Sequence, residues 1–237
     1  MRKIDVLDKG YVRLVDVMGG DLSVVNSARV SYDKESFEID EKDEKLIRFL
    51  AKHDHSSPFR HSILQFEMYA PLMVARQHWK YIVGSDHRDP FTAWNESSRR
   101  YITENAVFYV PSPTEWRSAP ENSKQGSGKP VNKHLGLHLT EDLMKLIDMG
   151  TMMYERAMAN GVCAEQARLF LPAYGLYVRY YWTGSLQSVA HFINQRLADD
   201  AQKEIQEYAK AVYELAKEDF PVSLDELVKT TKDAIAS

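Results

Sequence analysis

The stretch from Ile63 to Ala70 limits the fold of this chain more than any other. Leu64, Phe66, Met68 and Ala70 fall on one side, and Ile63, Gln65, Glu67 and Tyr69 on the other. Apolar residues at a period of two make a strand with one dry face. Pro71 follows directly, and a proline suits the first turn of a helix, where its missing N–H has no partner to lose. Along that helix Leu72, Ala75 and Trp79 face inward, while Gln77 and Lys80 share a more polar side.

Residues 11–18, rich in β-branched and apolar side chains, read as a strand that turns at Gly19-Gly20. Residues 21–30 read as helix. Asp40 is placed to cap a helix running to about Lys52, with Leu46, Ile47 and Leu50 on its inner face. Residues 84–94 read as a loop. The Gly, Ser, Pro and Lys content of residues 119–138 predicts a mobile surface loop, either a lid or a tolerated insertion. Helices are expected at about 140–159 and 162–171, the second ending before Pro172. Residues 174–182 carry Tyr, Leu, Val, Tyr and Trp on one parity and predict a strand covered on both faces. Three helices follow, over 185–196, 200–217 and 223–236. The last opens with Ser223-Leu224-Asp225-Glu226, a capping-box pattern. No internal repeat is visible. The expected fold is α+β in a single domain over 1–237: a modest mixed or antiparallel sheet surrounded by helices.

A chain of 237 residues, 44% hydrophobic and 27% charged, is long enough for one sizeable core. The net charge of -4 argues against a broad nucleic-acid surface. A single cysteine, Cys163, excludes an internal disulfide and a multi-cysteine zinc site. The first residues lack the apolar core of a signal peptide, and no apolar run is long enough to span a membrane. The expectation is a soluble cytoplasmic protein.

Trp94-Asn95-Glu96-Ser97-Ser98-Arg99-Arg100-Tyr101 gathers hydroxyls, a carboxylate and guanidiniums in one short segment. Arginine as a bidentate fork and serine as a short donor are the residues that hold a phosphate; the same residues also suit a solvated basic turn. Arg196 follows Val189 and Ile193 on one helical stripe, and Arg168 shares a helix with Ala164 and Leu171. A guanidinium on an apolar stripe needs an anion or a set of acceptors, supplied by an internal salt bridge or by a ligand. With the Ser98/Arg100 group, the two arginines point to a small dianionic ligand. His53, His55 and His61 lie close together, but Ser56-Ser57-Pro58-Phe59 breaks the helical spacing of a metal site, so no metal is expected. Cys163 opens a predicted helix with no base nearby and reads as a small buried hydrophobe. There is no Gly-x-Gly-x-x-Gly and no P-loop.

Six motifs in order along the chain resemble one family, the flavin-dependent thymidylate synthases. They are Asn26-Ser27-Ala28-Arg29-Val30-Ser31-Tyr32, the His55-Ser56-Ser57-Pro58-Phe59 turn, Val74-Ala75-Arg76-Gln77, and Asn95-Glu96-Ser97-Ser98-Arg99-Arg100-Tyr101. Ala167-Arg168-Leu169-Phe170-Leu171-Pro172 comes next, then Asn194-Gln195-Arg196 with Ala201-Gln202-Lys203-Glu204-Ile205. The resemblance implies reductive methylation of dUMP to dTMP. Methylenetetrahydrofolate donates the carbon, FAD carries the electrons, and NADPH reduces the flavin. It further implies a homotetramer with sites shared between subunits.

By matching position, the resemblance implies that Gln77, Glu96, Ser98, Arg100, Arg168 and Arg196 hold dUMP. Ser98, Arg100 and Arg168 fall near its phosphate, and Arg196 faces the uracil ring. Arg196 and Ser98 are the catalytic candidates. A guanidinium beside the pyrimidine stabilises negative charge that develops on the ring. Ser98 has no adjacent base to make it a nucleophile. Ser31, His55, Ser57, Ser185 and His191 align with FAD contacts. The family's Arg-His-Arg triplet is missing as such. Lys80 stands in place of its first arginine by distance from Gln77, and His87-Arg88 restores its second half within the loop. Arg60 and Asp200 also depart from the family pattern, and no role is transferred to them. Two alternatives stay open at this point. One is a non-catalytic nucleotide-binding module of the same fold. The other is a flavin-dependent methyltransferase acting on uracil in RNA, against which the net charge counts.

Overall fold

The computed structural model describes residues 2–84, 92–98, 105–121 and 126–229. Among these, five strands form one antiparallel sheet: β1 (Lys3–Val6), β2 (Gly10–Met18), β3 (Ile63–Pro71), β4 (Thr92–Glu96) and β5 (Tyr177–Ser185), in the order β1-β2-β3-β5-β4. The dry strand is β3, at the centre, and Leu64, Phe66, Met68 and Ala70 are fully buried. Val12 and Leu14 on β2 and Val178, Tyr180 and Trp182 on β5 continue that face. A bulge between Leu14 and Asp16 switches the parity of β2, so Val17, opposite Leu64, packs toward the core as well.

Eight helices among the described residues complete the fold: α1 (Asp21–Arg29), α2 (Glu41–Lys52), α3 (Leu72–Gly84), α4 (Lys133–Ala159), α5 (Ala164–Ala167), α6 (Leu186–Arg196), α7 (Lys203–Lys217) and α8 (Pro221–Leu227). Helices α3, α6 and α7 cover the apolar face of the sheet. Gly19 makes the turn between β2 and α1 at a positive φ of 93°, a conformation that favours glycine. Asp40 caps α2 as its position predicts: its carboxylate accepts from the backbone N–H groups of Lys42 and Asp43 at 2.8 and 2.9 Å.

Several expectations are corrected. Pro71 ends β3, and the helix starts one residue later at Leu72. Trp79 is 46% exposed; among the described side chains of α3 the buried ones are Val74, Ala75 and His78, because 78 stands both four residues after 74 and three after 75. The end of the supposed 84–94 loop is strand β4, which pairs with β5. Only the end of the 119–138 segment differs from the expected loop, because it is helical from Lys133, and the described part before it is held at its base. Residues 117 and 130 form a bridge, Ser118 N–H donates to Lys129 O at 2.9 Å, and α4 already begins at Lys133, capped by Asn132. The 162–171 helix shrinks to α5 and a 3-10 turn over Arg168–Phe170. Gly150 on α4 lets this turn sit close, since a Cβ there would stand 2.6 Å from Phe170 O.

The second face of β5 is covered only at its ends: Tyr177 and Ser185 are buried, but Arg179 and Tyr181 between them are exposed. That face carries a hydrogen-bonded group in place of an apolar layer. The Glu67 carboxylate accepts from Tyr11 Oη at 2.5 Å and from Arg13, and Arg13 reaches Tyr181 Oη at 3.1 Å. Cys163 is exposed, not a buried hydrophobe. Ser223 is not a cap. Helix α8 begins at Pro221, and its first N–H groups, of Val222 and Ser223, donate to the buried Asp21 at 2.8 and 3.0 Å. A carboxylate two hundred residues away displaces the local hydroxyl because its two oxygens accept from both N–H groups at once. Residues 230–236 of the expected last helix lie outside the described residues.

Candidate active site

The site begins where α3 crosses α6. His78 is buried between them, its ring stacked on Phe192 at 4.0 Å and edge-on to Trp182 at 4.4 Å. Its Nδ1 lies 3.1 Å from Tyr180 Oη, and Trp94 of β4 stacks on the same tyrosine at 4.0 Å. Desolvation drives the imidazole pKa well below its usual value, and the charge of Arg196 pushes the same way. His78 is therefore a neutral packing group. It locks α3, α6, β4 and β5 together.

One residue earlier on α3, Gln77 turns away from this aromatic layer. Its Oε1 accepts from Arg196 Nη1, at the end of α6, at 3.1 Å. Its Nε2 donates to Gln202 Oε1, in the link between α6 and α7. These three residues, with Gln195, Asp200 and Gly126, line a polar cavity of about 400 Å³. Gln77 and Arg196, two of the residues that the resemblance assigned to the nucleotide, thus share one cavity wall.

Glu96 ends β4, and Ser98 follows it. The edge of this segment is held by Ser97, whose N–H donates to Arg179 O at 2.8 Å and whose Oγ accepts from Arg179 N at 3.0 Å. The Glu96 carboxyl is pushed above its usual pKa, chiefly by desolvation, against the opposing effects of Trp94 and Arg76. Arg100, His87 and Arg88 lie outside the described residues.

Arg168 does not sit on a buried stripe. It is exposed, and its Nε donates to Glu165 O at 3.3 Å. It is not part of the lining of the Gln77–Arg196 cavity. The candidate flavin residues form a different group. Helix α1 packs on the 57–60 turn, with Ser27 Oγ 3.4 Å from Pro58 O, and this contact brings Ser31 and Ser57 to one corner of the molecule. Ser31, His55 and Ser57 are exposed there, and His55 lies edge-on to Phe49 at 5.7 Å. Helix α6 starts beside the same turn: Leu186 N–H donates to Ser62 O at 2.9 Å. Ser185 is buried, and its hydroxyl accepts from Ser188 N at 3.1 Å as the α6 cap. His191 lies half-buried on α6, and Lys80 is exposed on α3.

Sequence reading assigned no role to Gln202, Glu204 or Arg117, which the structure joins to Gln77. Gln202 Nε2 donates to Glu204 Oε2 at 2.8 Å, and Arg117 Nη2 donates to Glu204 Oε1 at 2.5 Å. The motif around Gln202 and Glu204 was visible; the partner Arg117 lies 87 positions earlier, beyond any local pattern. Behind Gln202 and Glu204 lies a second cavity, about 340 Å³ and mainly apolar, lined by Met73, Phe108, Trp116, Leu143 and Ile147.

Among the described residues no group of His, Cys, Asp and Glu converges as a metal site, and no helix is long and apolar enough to cross a membrane.

Comparison with known proteins bears on this geometry. The family model described as "Thymidylate synthase complementing protein" matches residues 13–222. A flavin-dependent thymidylate synthase of Thermotoga neapolitana is 36% identical over 230 residues, covering 96% of this chain and 94% of the relative. A Thermus thermophilus protein of the same name is 38% identical over 220 residues, 93% of this chain and 76% of the relative. Among solved structures, the UMP/dUMP methylase PolB of Streptomyces cacaoi, bound with 5-Br dUMP, superposes with a TM-score of 0.80. It is 26% identical and covers 94% of this chain and 96% of its own.

Proposed function

Because this chain belongs to the family of flavin-dependent thymidylate synthases, a family of methyltransferases, we propose that it converts dUMP to dTMP. Methylenetetrahydrofolate supplies the carbon and NADPH the reducing equivalents. The observation that carries this reading is the pairing of Gln77 with Arg196 in one polar cavity.

Arg196 faces the uracil ring and stabilises the negative charge that builds there as the ring carbon becomes nucleophilic. Gln77 holds the guanidinium in place before substrate arrives. Glu96 contacts the nucleotide, and Ser98 and Arg100 hold its phosphate. The Ser98 hydroxyl positions substrate and does not attack it. Arg168 joins the phosphate from a neighbouring subunit, in keeping with its exposure and its place outside the cavity lining of its own chain.

The donor set at the 31–57 corner fits FAD. The hydroxyls of Ser31 and Ser57 and the imidazole of His55 offer donors to a diphosphate, and the exposed Tyr32 offers a ring face to a flat heterocycle. Lys80 and Arg88 supply cationic contacts and His87 a ring nitrogen in place of the missing triplet, with Ser185 at the start of α6 and His191 midway along it. When bound, FAD carries hydride from NADPH to the transferred carbon. Support for a homotetramer comes from α4, whose apolar residues stay exposed in a single chain.

The test is one reaction: purified protein, NADPH, methylenetetrahydrofolate and dUMP, with and without added FAD. Flavin-dependent dTMP is expected. Bound dUMP and bound flavin with no dTMP, and no release of tritium from C5-labelled dUMP, would leave a nucleotide-binding module instead.

A further inference from the structure

The contacts of Gln77 extend into a continuous line: Arg117 to Glu204, Glu204 to Gln202, Gln202 to Gln77, Gln77 to Arg196. The chemistry of its members allows only one direction. A guanidinium donates and never accepts; a carboxylate only accepts; each amide has one end of either kind. Glu204 takes the Gln202 NH₂ on Oε2, which turns the Gln202 carbonyl to Gln77. That carbonyl takes the Gln77 NH₂, which turns the Gln77 carbonyl to Arg196. Flipping either amide would set two NH₂ groups face to face, or an NH₂ against the guanidinium.

We propose that Glu204 is a positioning residue that, through Gln202, fixes Gln77 and Arg196 in the orientation that receives the uracil ring. The proposal rests on the reading of Gln77 and Arg196 as dUMP ligands. Glu204 is suited to the task because it is buried and both of its oxygens are engaged. Arg117 in turn is held by Ser127 Oγ at 2.9 Å and by Glu115 O at 3.1 Å. The line is therefore anchored at one end in the 115–131 segment and at the other in the cavity.

A line whose polarity matters behaves differently from one that only fills space. In Glu204→Gln, Arg117 and Gln202 both demand the single remaining carbonyl oxygen, so one donor meets an NH₂. Removing the competitor in Arg117→Met/Glu204→Gln frees that oxygen for Gln202. Gln202→Leu breaks the line while leaving the Arg117–Glu204 pair intact.

The measurement is dUMP affinity of the flavin-loaded assembled protein by calorimetry, with kcat and KM for dUMP in parallel. Glu204→Gln and Gln202→Leu are each expected to weaken dUMP binding by about tenfold or more, the size of a lost hydrogen bond to a charged group. Bound flavin should stay unchanged. The double variant is expected to bind dUMP more tightly than Glu204→Gln alone. A purely structural role predicts the reverse, since two changes at a buried pair add their damage, and that result would overturn the proposal. Unchanged affinity in Gln202→Leu would also overturn it, and this variant decides the matter if either Glu204 variant fails to fold. Wild-type protein that does not bind dUMP breaks the functional reading itself; wild-type binding with indifferent variants breaks only the relay.

Discussion

Helices α7 and α4 are built on opposite plans. In α7, Ile205, Tyr208, Ala209, Val212 and Ala216 form one stripe, and all are buried against the sheet and its neighbours. In α4, only Gly136 and Gly150 of the 27 residues are buried. Met144, Leu146, Met149, Met152 and Met153 all reach solvent, Met152 at 59% exposure. An amphipathic helix is satisfied by its own chain; a helix apolar on several sides needs a further surface. The difference separates the side of the molecule that carries the Gln77–Arg196 cavity from a side whose apolar surface is left open in a single chain. The turn that carries Arg168 packs on α4, so the phosphate role proposed for Arg168 falls on this side of the molecule.

The sharpest way to break this comparison is to charge α4. Met149→Asp with Met152→Asp puts two carboxylates where an apolar interface would form, at an unpaired cost on the order of several kcal/mol. The variant is expected to run as a folded monomer in light scattering, with turnover lost because no neighbour supplies Arg168. An unchanged mass would place the interface elsewhere. Next in size is Arg196→Ala, expected to lower kcat by about 10²–10³-fold, as for other donors that stabilise developing charge. Flavin should remain bound in that variant, as its absorbance would report. Near-normal turnover would remove Arg196 from the mechanism.

Within the self-sufficient half, Asp21→Ala uncaps α8. The expected cost is about 1–2 kcal/mol, or roughly 2–8 °C in Tm for a chain of this size, read by thermal melting. The smallest effect is a slope. His78 is held neutral in the folded state, its pKa well below the usual value through desolvation first and Arg196 second. The unfolded chain binds a proton below about pH 6.5 and the folded one does not, so stability is full above that value and declines as pH falls beneath it. His78→Phe should flatten the fall in Tm between about pH 7 and 5. An identical slope would mean that other groups carry it.

What was legible in the sequence followed local periodicity. The alternation of Leu64, Phe66, Met68 and Ala70 marked the central strand, and Asp40 marked the start of α2, because both signals lie within a few residues. What escaped was set at long range. Trp79 looked like a core residue until the aromatic layer around His78 decided which side of α3 turns inward. Ser223 matched a capping pattern, but the actual cap is Asp21. The loop-like composition of 119–138 hid the bridge between Arg117 and Pro130. For the site, the motifs led to Gln77 and Arg196, which the structure joins, yet Arg117 carries no local mark of its link to Glu204.

The Asp21 cap has a consequence for how the fold opens. Arg2 also meets Asp219 at 2.5 Å, so β1, α1 and the entry to α8 are stitched together across more than two hundred positions of sequence. An opening that frees one of them uncovers charged partners on the others, so the three belong to one cooperative unit. Their amides should exchange with solvent together, not segment by segment.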